Sequence, residues 1–334
     1  MVLAMDLDVY GLCLGGNVFG WTADRDASFA VLDAYAEAGG RFVDTAAGYQ
    51  GGESEQVVGR FLSGRRDEFV VGTKWAVGTT RDEPFTMLGT SRKAMIQSVE
   101  ESLRRLGTDH LDILWTHGYD DKVPVDEIML GFDRLVTTGK VRYCGLGTHP
   151  AWKVARAATL AELRGWAPLA AITIEYGASE RDAERELLPA AEAMGFGVVA
   201  WSPLGGGFLA RDNGSTHLPH WIRQGRPDAK DRHVYAVVRE VAAELSEHPA
   251  TVGYAWLLHQ ARRSTTGIVP VMAAGTPEQL DQDLRAIDLV ITPRQLARID
   301  AAGAPPLGEP HVHNVDSDPL QEGGAFHRPI VPVP

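Results

Sequence analysis

Four side chains with complementary proton chemistry stand at the ends of apolar runs. Phe42-Val43 stops at Asp44, and Tyr49 lies in the small-residue loop that follows; Val70-Val71-Gly72-Thr73 stops at Lys74; Leu111-Asp112-Ile113-Leu114-Trp115-Thr116 stops at His117. An unperturbed tyrosine titrates near ~10 and is a weak acid at neutral pH. A neighbouring ammonium favours the phenolate and lowers that value, while a carboxylate keeps the ammonium charged and in place. On this reading Tyr49 is the proton donor, Lys74 its modulator, Asp44 the anchor of Lys74, and His117 the hydrogen-bonding group that orients a substrate oxygen. None of these side chains carries a hydride, so the set acts on a carbonyl by redox only with a cofactor. Taken singly, each residue has a plainer use. Asp44 can cap the next helix, Lys74 can be a loop lysine, Tyr49 and His117 can be packing with a wet polar edge. Their shared position at successive strand ends is what favours chemistry.

The elements that must bring them together are read from periodicity. Apolar residues three and four apart (Phe29, Leu32, Tyr35, Ala36) mark a helix over 24–38, closed by Gly39-Gly40. Strands are expected at 9–16, 42–44, 69–74, 111–117, 141–148, 171–176, 197–202 and 267–272, with helices between them at 55–62, 91–106, 128–138, 152–163, 183–194, 234–245 and 251–260. Two more helices follow, at 277–286 and 293–302. Eight alternating units point to a closed (β/α)8 TIM barrel rather than an open doubly wound sheet. A dinucleotide fold would carry G-x-G-x-x-G after a strand, and Gly205-Gly206-Gly207 lacks that spacing. The expected organisation is therefore one α/β barrel domain over 1–302. It carries a long irregular loop after the seventh strand (205–232) and an irregular proline-rich tail over 303–334, packed on or near the barrel.

Composition narrows the class. A formal net charge of −12 gives no basic footprint for nucleic acid, and no run approaches the ~20 apolar residues of a membrane span. Cys13 and Cys144 are the only cysteines, too few for a disulfide framework or a thiolate metal site, and read as reduced, buried small hydrophobes. With no signal-peptide pattern at the start, a cytoplasmic location is expected. His311, His313 and His327 lie in the irregular tail and read as solvent-facing, so no metal is expected. Oligomeric contacts need geometry and are left unassigned.

Beyond these readings, the chain resembles the aldo-keto reductase family over residues 7–302. The resemblance rests on Phe42-Val43-Asp44-Thr45-Ala46 with Tyr49, Gly52-Glu53-Ser54-Glu55, Gly72-Thr73-Lys74, the segment 102–109 running to His117, Gly139-Lys140-Val141-Arg142-Tyr143, the segment 184–189, Trp201-Ser202-Pro203-Leu204, and Thr276-Pro277-Glu278-Gln279-Leu280. It implies Asp44, Tyr49, Lys74 and His117 as a catalytic tetrad. It also implies a small-molecule carbonyl substrate and hydride transfer from a reduced nicotinamide nucleotide, usually the phosphorylated NADP form, bound without a Rossmann domain.

The same resemblance places Thr148, Thr173, Trp201, Ser202, Pro203, Leu204, Gly275, Gln279 and Asp283 around the nucleotide, and several depart from the family's usual residues. Gly147-Thr148 stands for Ser-Asn, Thr173 for a glutamine, and Trp201 for a tyrosine that stacks on the nicotinamide. Gly275 aligns with an arginine that meets the 2'-phosphate, and Asp283 with an asparagine that meets the adenine. A hydrogen bond to a charged group is worth ~1.5–3 kcal/mol, so losing that arginine costs about one to two decades in affinity. Three explanations follow. The protein prefers unphosphorylated NAD; another cation (Arg211, Lys230 or Arg232) replaces the arginine; or the retained tetrad serves redox-neutral acid–base chemistry such as a dehydration. A non-catalytic ligand sensor is a further reading, opposed by the intact tetrad. Trp21, Trp75, His149 and Trp221 are candidate substrate-pocket residues.

Overall fold

The computed structural model describes residues 2–4, 7–78, 88–210, 227–306 and 308–312. A two-strand antiparallel hairpin, β1 (Val2–Ala4) and β2 (Leu7–Asp8), precedes eight parallel strands that close on themselves. These are β3 (Cys13–Gly15), β4 (Phe42–Asp44), β5 (Val70–Trp75), β6 (Leu111–Thr116), β7 (Val141–Gly147), β8 (Leu169–Glu175), β9 (Gly197–Trp201) and β10 (Ile268–Met272), with β10 pairing back onto β3. Helices α1 (Arg25–Glu37), α2 (Glu53–Phe61), α3 (Arg92–Leu106), α4 (Val125–Thr137), α5 (Ala151–Arg164) and α6 (Leu187–Met194) alternate with the strands. Then α7 (Ala229–Leu245) and α8 (Pro249–Arg263) precede β10, and α9 (Pro277–Leu284) and α10 (Pro293–Gly303) follow it. The (β/α)8 barrel expected from periodicity is what forms.

Several helices begin where side-chain oxygens satisfy the first free amides. Asp24 caps α1, Ser91 caps α3, Thr276 caps α9, and Thr292 with Gln295 makes a reciprocal capping box on α10. Strand alternation then sorts residues into two cores. Leu14, Val43, Val71, Leu114, Leu146, Ile172, Val198 and Ile268 pack outward against the helices. Cys13, Phe42, Ile113, Trp115, Ala171, Val199 and Val269 fill the barrel interior.

Three differences from the sequence reading stand out. The hairpin at the start was not anticipated, because strands of two and three residues are too short to show a period. It plugs the bottom of the barrel: Leu3 and Leu7 join the interior cluster, and the backbone of Leu3 lies so close to Gly197 that a Cβ there would sit 2.1 Å from the Leu3 carbonyl oxygen. The first barrel strand is also shorter than the expected 9–16, and α7 starts at Ala229, inside the stretch read as loop, on a capping box between Asp228 and Asp231. Residues 211–226 of that loop and most of the tail lie outside the described residues. No described helix is long and apolar enough to cross a membrane.

Candidate active site

The strand register sets the site. Asp44 lies opposite Gly72 across β4 and β5, and Lys74 lies opposite Trp115 across β5 and β6. Because inward residues recur every second position, Asp44, Gly72, Lys74 and Trp115 all face the barrel interior near its carboxyl rim. Tyr49 opens a short 3-10 turn after β4, and His117 follows the last residue of β6, its amide donating to the Trp75 carbonyl at 2.8 Å.

The four residues chosen from sequence meet. The Lys74 ammonium bonds Asp44 Oδ2 and donates to the Thr45 carbonyl at 2.9 Å. Its nitrogen lies 5.0 Å from the centre of the Tyr49 ring, close enough to the hydroxyl for hydrogen bonding to stabilise the phenolate. The Tyr49 and His117 rings meet edge to face with centroids 5.4 Å apart. Asp44 and Lys74 are only 3% and 6% exposed, so the pair works in a low-dielectric setting. Burial opposes the Lys74 charge, yet attraction to Asp44 and Tyr49 outweighs it and the ammonium pKa is raised. Asp44 moves the other way from a surface ion pair: burial lifts its pKa despite the pull of Lys74.

Tyr49 departs from the simple expectation that Lys74 brings the phenol toward neutrality. Lys74 does lower its pKa, but burial is the larger effect and the net direction is upward. Tyr49 therefore holds its proton at neutral pH. Burial and the Lys74 charge push the His117 pKa down to about 3, so the ring is neutral and can donate a hydrogen bond without bringing a charge.

The loop bearing Asp44 and Tyr49 is tied from behind. Ser54 donates to the Gly16 carbonyl at 2.7 Å and shares a 2.8 Å bond with Thr45. Fully buried Glu55 accepts from Thr73 at 2.6 Å and from Arg105 at 2.6 Å, joining α2, β5 and α3 directly behind Lys74. The motif residues 52–55 thus position the tetrad rather than touch it.

The residues that the resemblance assigns to the nucleotide lie at or just after the ends of β7, β8 and β9 and in and before α9. Thr148 and Ser202 directly follow β7 and β9 with φ of 54° and 53°, a left-handed conformation rare for residues other than glycine, and such positions cluster at functional sites. The Thr148 amide donates to the Thr173 carbonyl at 2.9 Å, so the two threonines adjoin across β7 and β8. Trp201 is half-buried at the end of β9, and Leu204 is buried against Gly253. Gln279 folds back so that its Oε1 accepts from the Gly275 amide at 2.8 Å. Asp283 is buried on α9 and its pKa is pushed up to about 7 by burial, against the pull of Gln282 and Arg285.

These residues fit a nicotinamide nucleotide in part. Thr148 and Thr173 offer hydroxyls, and Trp201 an aromatic face. When protonated, which burial favours, Asp283 has a donor and an acceptor like the amide it stands for. Among the described residues, only Gln279 Oε1 lies within 4 Å of where a Gly275 Cβ would sit, and no cation does. Arg285 is engaged by Glu247 at 3.3 Å and Asp281 at 3.6 Å, Arg232 donates to the Pro227 carbonyl at 2.8 Å, Lys230 is half-buried at the start of α7, and Arg211 lies outside the described residues.

The four substrate-pocket candidates take different settings where they are described. Trp75 turns outward into the layer beneath the helices, His149 is buried and bonded through Nδ1 to the Gly147 carbonyl at 2.8 Å, Trp21 is exposed, and Trp221 lies outside the described residues. Among the described residues no group of three or more His, Cys, Asp or Glu could hold a metal. His311 lies 3.9 Å from Glu186, while His313 and His327 are outside the described residues. Two contributors were missed by sequence reasoning, the Thr45 carbonyl and Trp115. The second was findable, since it sits two residues before His117 and must share the inward face of Ile113.

Asp283 also makes a stability prediction. A carboxyl whose pKa is raised on folding keeps its proton longer in the folded than in the unfolded chain. Stability is therefore lost as pH rises from about 4, the unfolded value, to about 7. Asp283→Asn removes that slope. Urea denaturation should find the variant more stable by roughly 2–4 kcal/mol at pH 8 and equal to the parent near pH 4, with an unchanged m value.

The fold is a closed parallel (β/α)8 barrel that gathers a buried acid, amine and phenol at its carboxyl rim. Comparison with known proteins sharpens this: the aldo/keto reductase family profile matches residues 11–304. The chain is similar to norsolorinic acid reductase of Aspergillus flavus, 32% identical over 313 residues that cover 90% of this chain and 79% of the relative. It is similar to an NADP(+) aryl-alcohol dehydrogenase of Phanerodontia chrysosporium, 32% identical over 82% of this chain and 75% of the relative. An uncharacterized oxidoreductase of Bacillus subtilis, YrpG, is 33% identical over 91% of this chain and 95% of its own length. The chain belongs to the aldo/keto reductase family and is an NAD(P)-dependent oxidoreductase.

Proposed function

We propose that the protein reduces an aldehyde or ketone to the alcohol, with Tyr49 as general acid. The observation that carries this reading is the contact of Tyr49 with both Lys74 and His117 at one rim. The reduced nucleotide supplies the hydride when bound. Neutral His117 donates a hydrogen bond to the carbonyl oxygen and orients it. As the oxygen becomes an alkoxide, it is far more basic than a phenolate, so Tyr49 gives up its proton even though burial raises its pKa. Lys74, held charged by Asp44, stabilises the phenolate left behind.

Aryl aldehydes and polycyclic aryl ketones are the first substrates to test, since the relatives are named for aryl alcohols and norsolorinic acid. For the nucleotide, the Phanerodontia relative is named for NADP(+), whereas Gly275 offers no cation where the family has an arginine. We favour the unphosphorylated form for this chain. Titration of the protein with all four nucleotides, followed by tryptophan fluorescence, is paired with a substrate-dependent loss of reduced-nucleotide absorbance. Binding of one reduced form and its oxidation by an aryl aldehyde support the proposal. A nucleotide-free, Tyr49-dependent elimination would replace it with redox-neutral acid–base chemistry, and ligand binding without turnover would replace it with a sensor.

A further inference from the structure

Only one of the two Asp44 oxygens is accounted for by Lys74. Oδ1 is buried and meets no partner in hydrogen-bond geometry among the described residues, and the same holds for Nε1 of Trp115, whose side chain is fully buried. The two are of opposite kind, since a carboxylate oxygen only accepts and an indole N–H only donates. They also occupy the same corner of the barrel. A Cβ added to Gly72 would lie 2.6 Å from Asp44 Oδ1 and 2.8 Å from Trp115 Nε1. The indole lies near enough to offset a little of the upward push that burial gives the Asp44 pKa.

We propose that Trp115 is a positioning residue for proton transfer: its indole N–H fixes the second oxygen of Asp44 and so aims the Lys74 ammonium at Tyr49. The proposal deepens the reductase reading, on which its kinetic test rests.

The backbone around Trp115 is arranged to admit a large ring at this point. A Cβ on Gly145 would fall 2.2 Å from Trp115 ring carbons, so glycines on both neighbouring strands open the slot that the indole fills. Residue type matters as much as space. A cation from β6 would compete with Lys74 for Asp44, whereas an indole offers a single uncharged donor on a rigid body. The bond is needed because the carboxylate is in low dielectric, where an unmet acceptor raises its pKa and loosens its hold on Lys74. The groups facing Asp44 are Lys74 from β5, the Cys13 thiol from β3, Tyr49 from the following loop and Trp115 from β6, with His117 near Lys74.

Trp115→Phe keeps a ring in the slot and removes the donor. The expected result is a fall in kcat of about 10- to 100-fold, with nucleotide affinity and carbonyl KM unchanged. The acid-side loss of kcat moves to higher pH, because Asp44 then protonates more easily. An activity-independent arm uses the indole N–H resonance that is missing from Trp115→Phe. In the parent protein it should shift with the ionisation of Asp44 and lose that response in Asp44→Asn.

Parental kcat with an unmoved acid limb, or an indole resonance indifferent to Asp44→Asn, overturns the proposal. If the parent protein reduces no carbonyl compound, the reductase reading fails, and the resonance alone then decides the role of Trp115. Should Trp115→Phe not fold, Gly72→Ala sets a methyl between the two partners. It should reproduce the shift of the acid limb and of the resonance, and no change in either counts against the bond.

Discussion

Tyr49→Phe should lower nucleotide-dependent carbonyl reduction by about 10²- to 10⁴-fold while leaving nucleotide affinity within about twofold of the parent. The substitution is narrow. A phenylalanine ring keeps the edge contact with His117 and remains under the Lys74 ammonium, so packing and local charge persist while the transferable proton is gone. Because the missing interaction forms only as negative charge grows on the carbonyl oxygen, the loss falls on kcat and kcat/KM together, not on KM. Burial raises the Tyr49 pKa above its ordinary 10.0, so the alkaline decline of the parent enzyme lies above that pH and reduction stays level between pH 7 and 9. Steady-state rates across pH, with fluorescence titration of the nucleotide, check both statements. A variant retaining a tenth of the parental kcat would remove Tyr49 from the acid's role.

The sequence carried the site further than it carried the pocket around it, and the reason is physical. Asp44, Lys74 and His117 end apolar runs, and closing a parallel barrel brings strand ends to one rim, so their meeting followed from alternation alone. The inward face of Trp115 was legible from alternation, but its nearness to Asp44 was not, because lateral register sets it past Gly72, a strand away from its own hydrogen-bonded neighbours. Trp75 misled for a related reason. An aromatic beside a catalytic lysine looks like a pocket wall, but one step along a strand reverses the face, and it packs under the helices. The pKa of Tyr49 was also beyond sequence, since it depends on how burial balances a cation whose distance only the fold fixes.

Lys74→Met is the sharper test of how the tetrad is held together. Methionine fills a similar volume but removes the partner of Asp44, whose pKa burial already raises with the ammonium present. Without it the carboxyl must take up a proton to stay buried, and each unit above its unfolded value near 3.9 costs about 1.4 kcal/mol. The expected loss is about 3–5 kcal/mol at pH 7, in line with breaking other buried ion pairs. The sign of the pH dependence follows from the same shift. A carboxyl with a raised folded pKa loses stability as pH climbs past its unfolded value, so the deficit of Lys74→Met should be small near pH 4 and grow toward pH 7.

Adding Asp44→Asn removes the charge that Lys74 balanced. The double variant should recover most of the stability, giving a large coupling in the double-mutant cycle. Activity should not return, because Tyr49 still lacks the cation that stabilises its phenolate, and kcat should stay at least about 10²-fold below the parent. Denaturation midpoints at pH 4, 5.5 and 7 for the parent, both single variants and the double variant provide the check. A deficit that is independent of pH and not recovered by Asp44→Asn would mean that Lys74 stabilises the barrel by packing alone, and that the charge network at the rim has been misassigned.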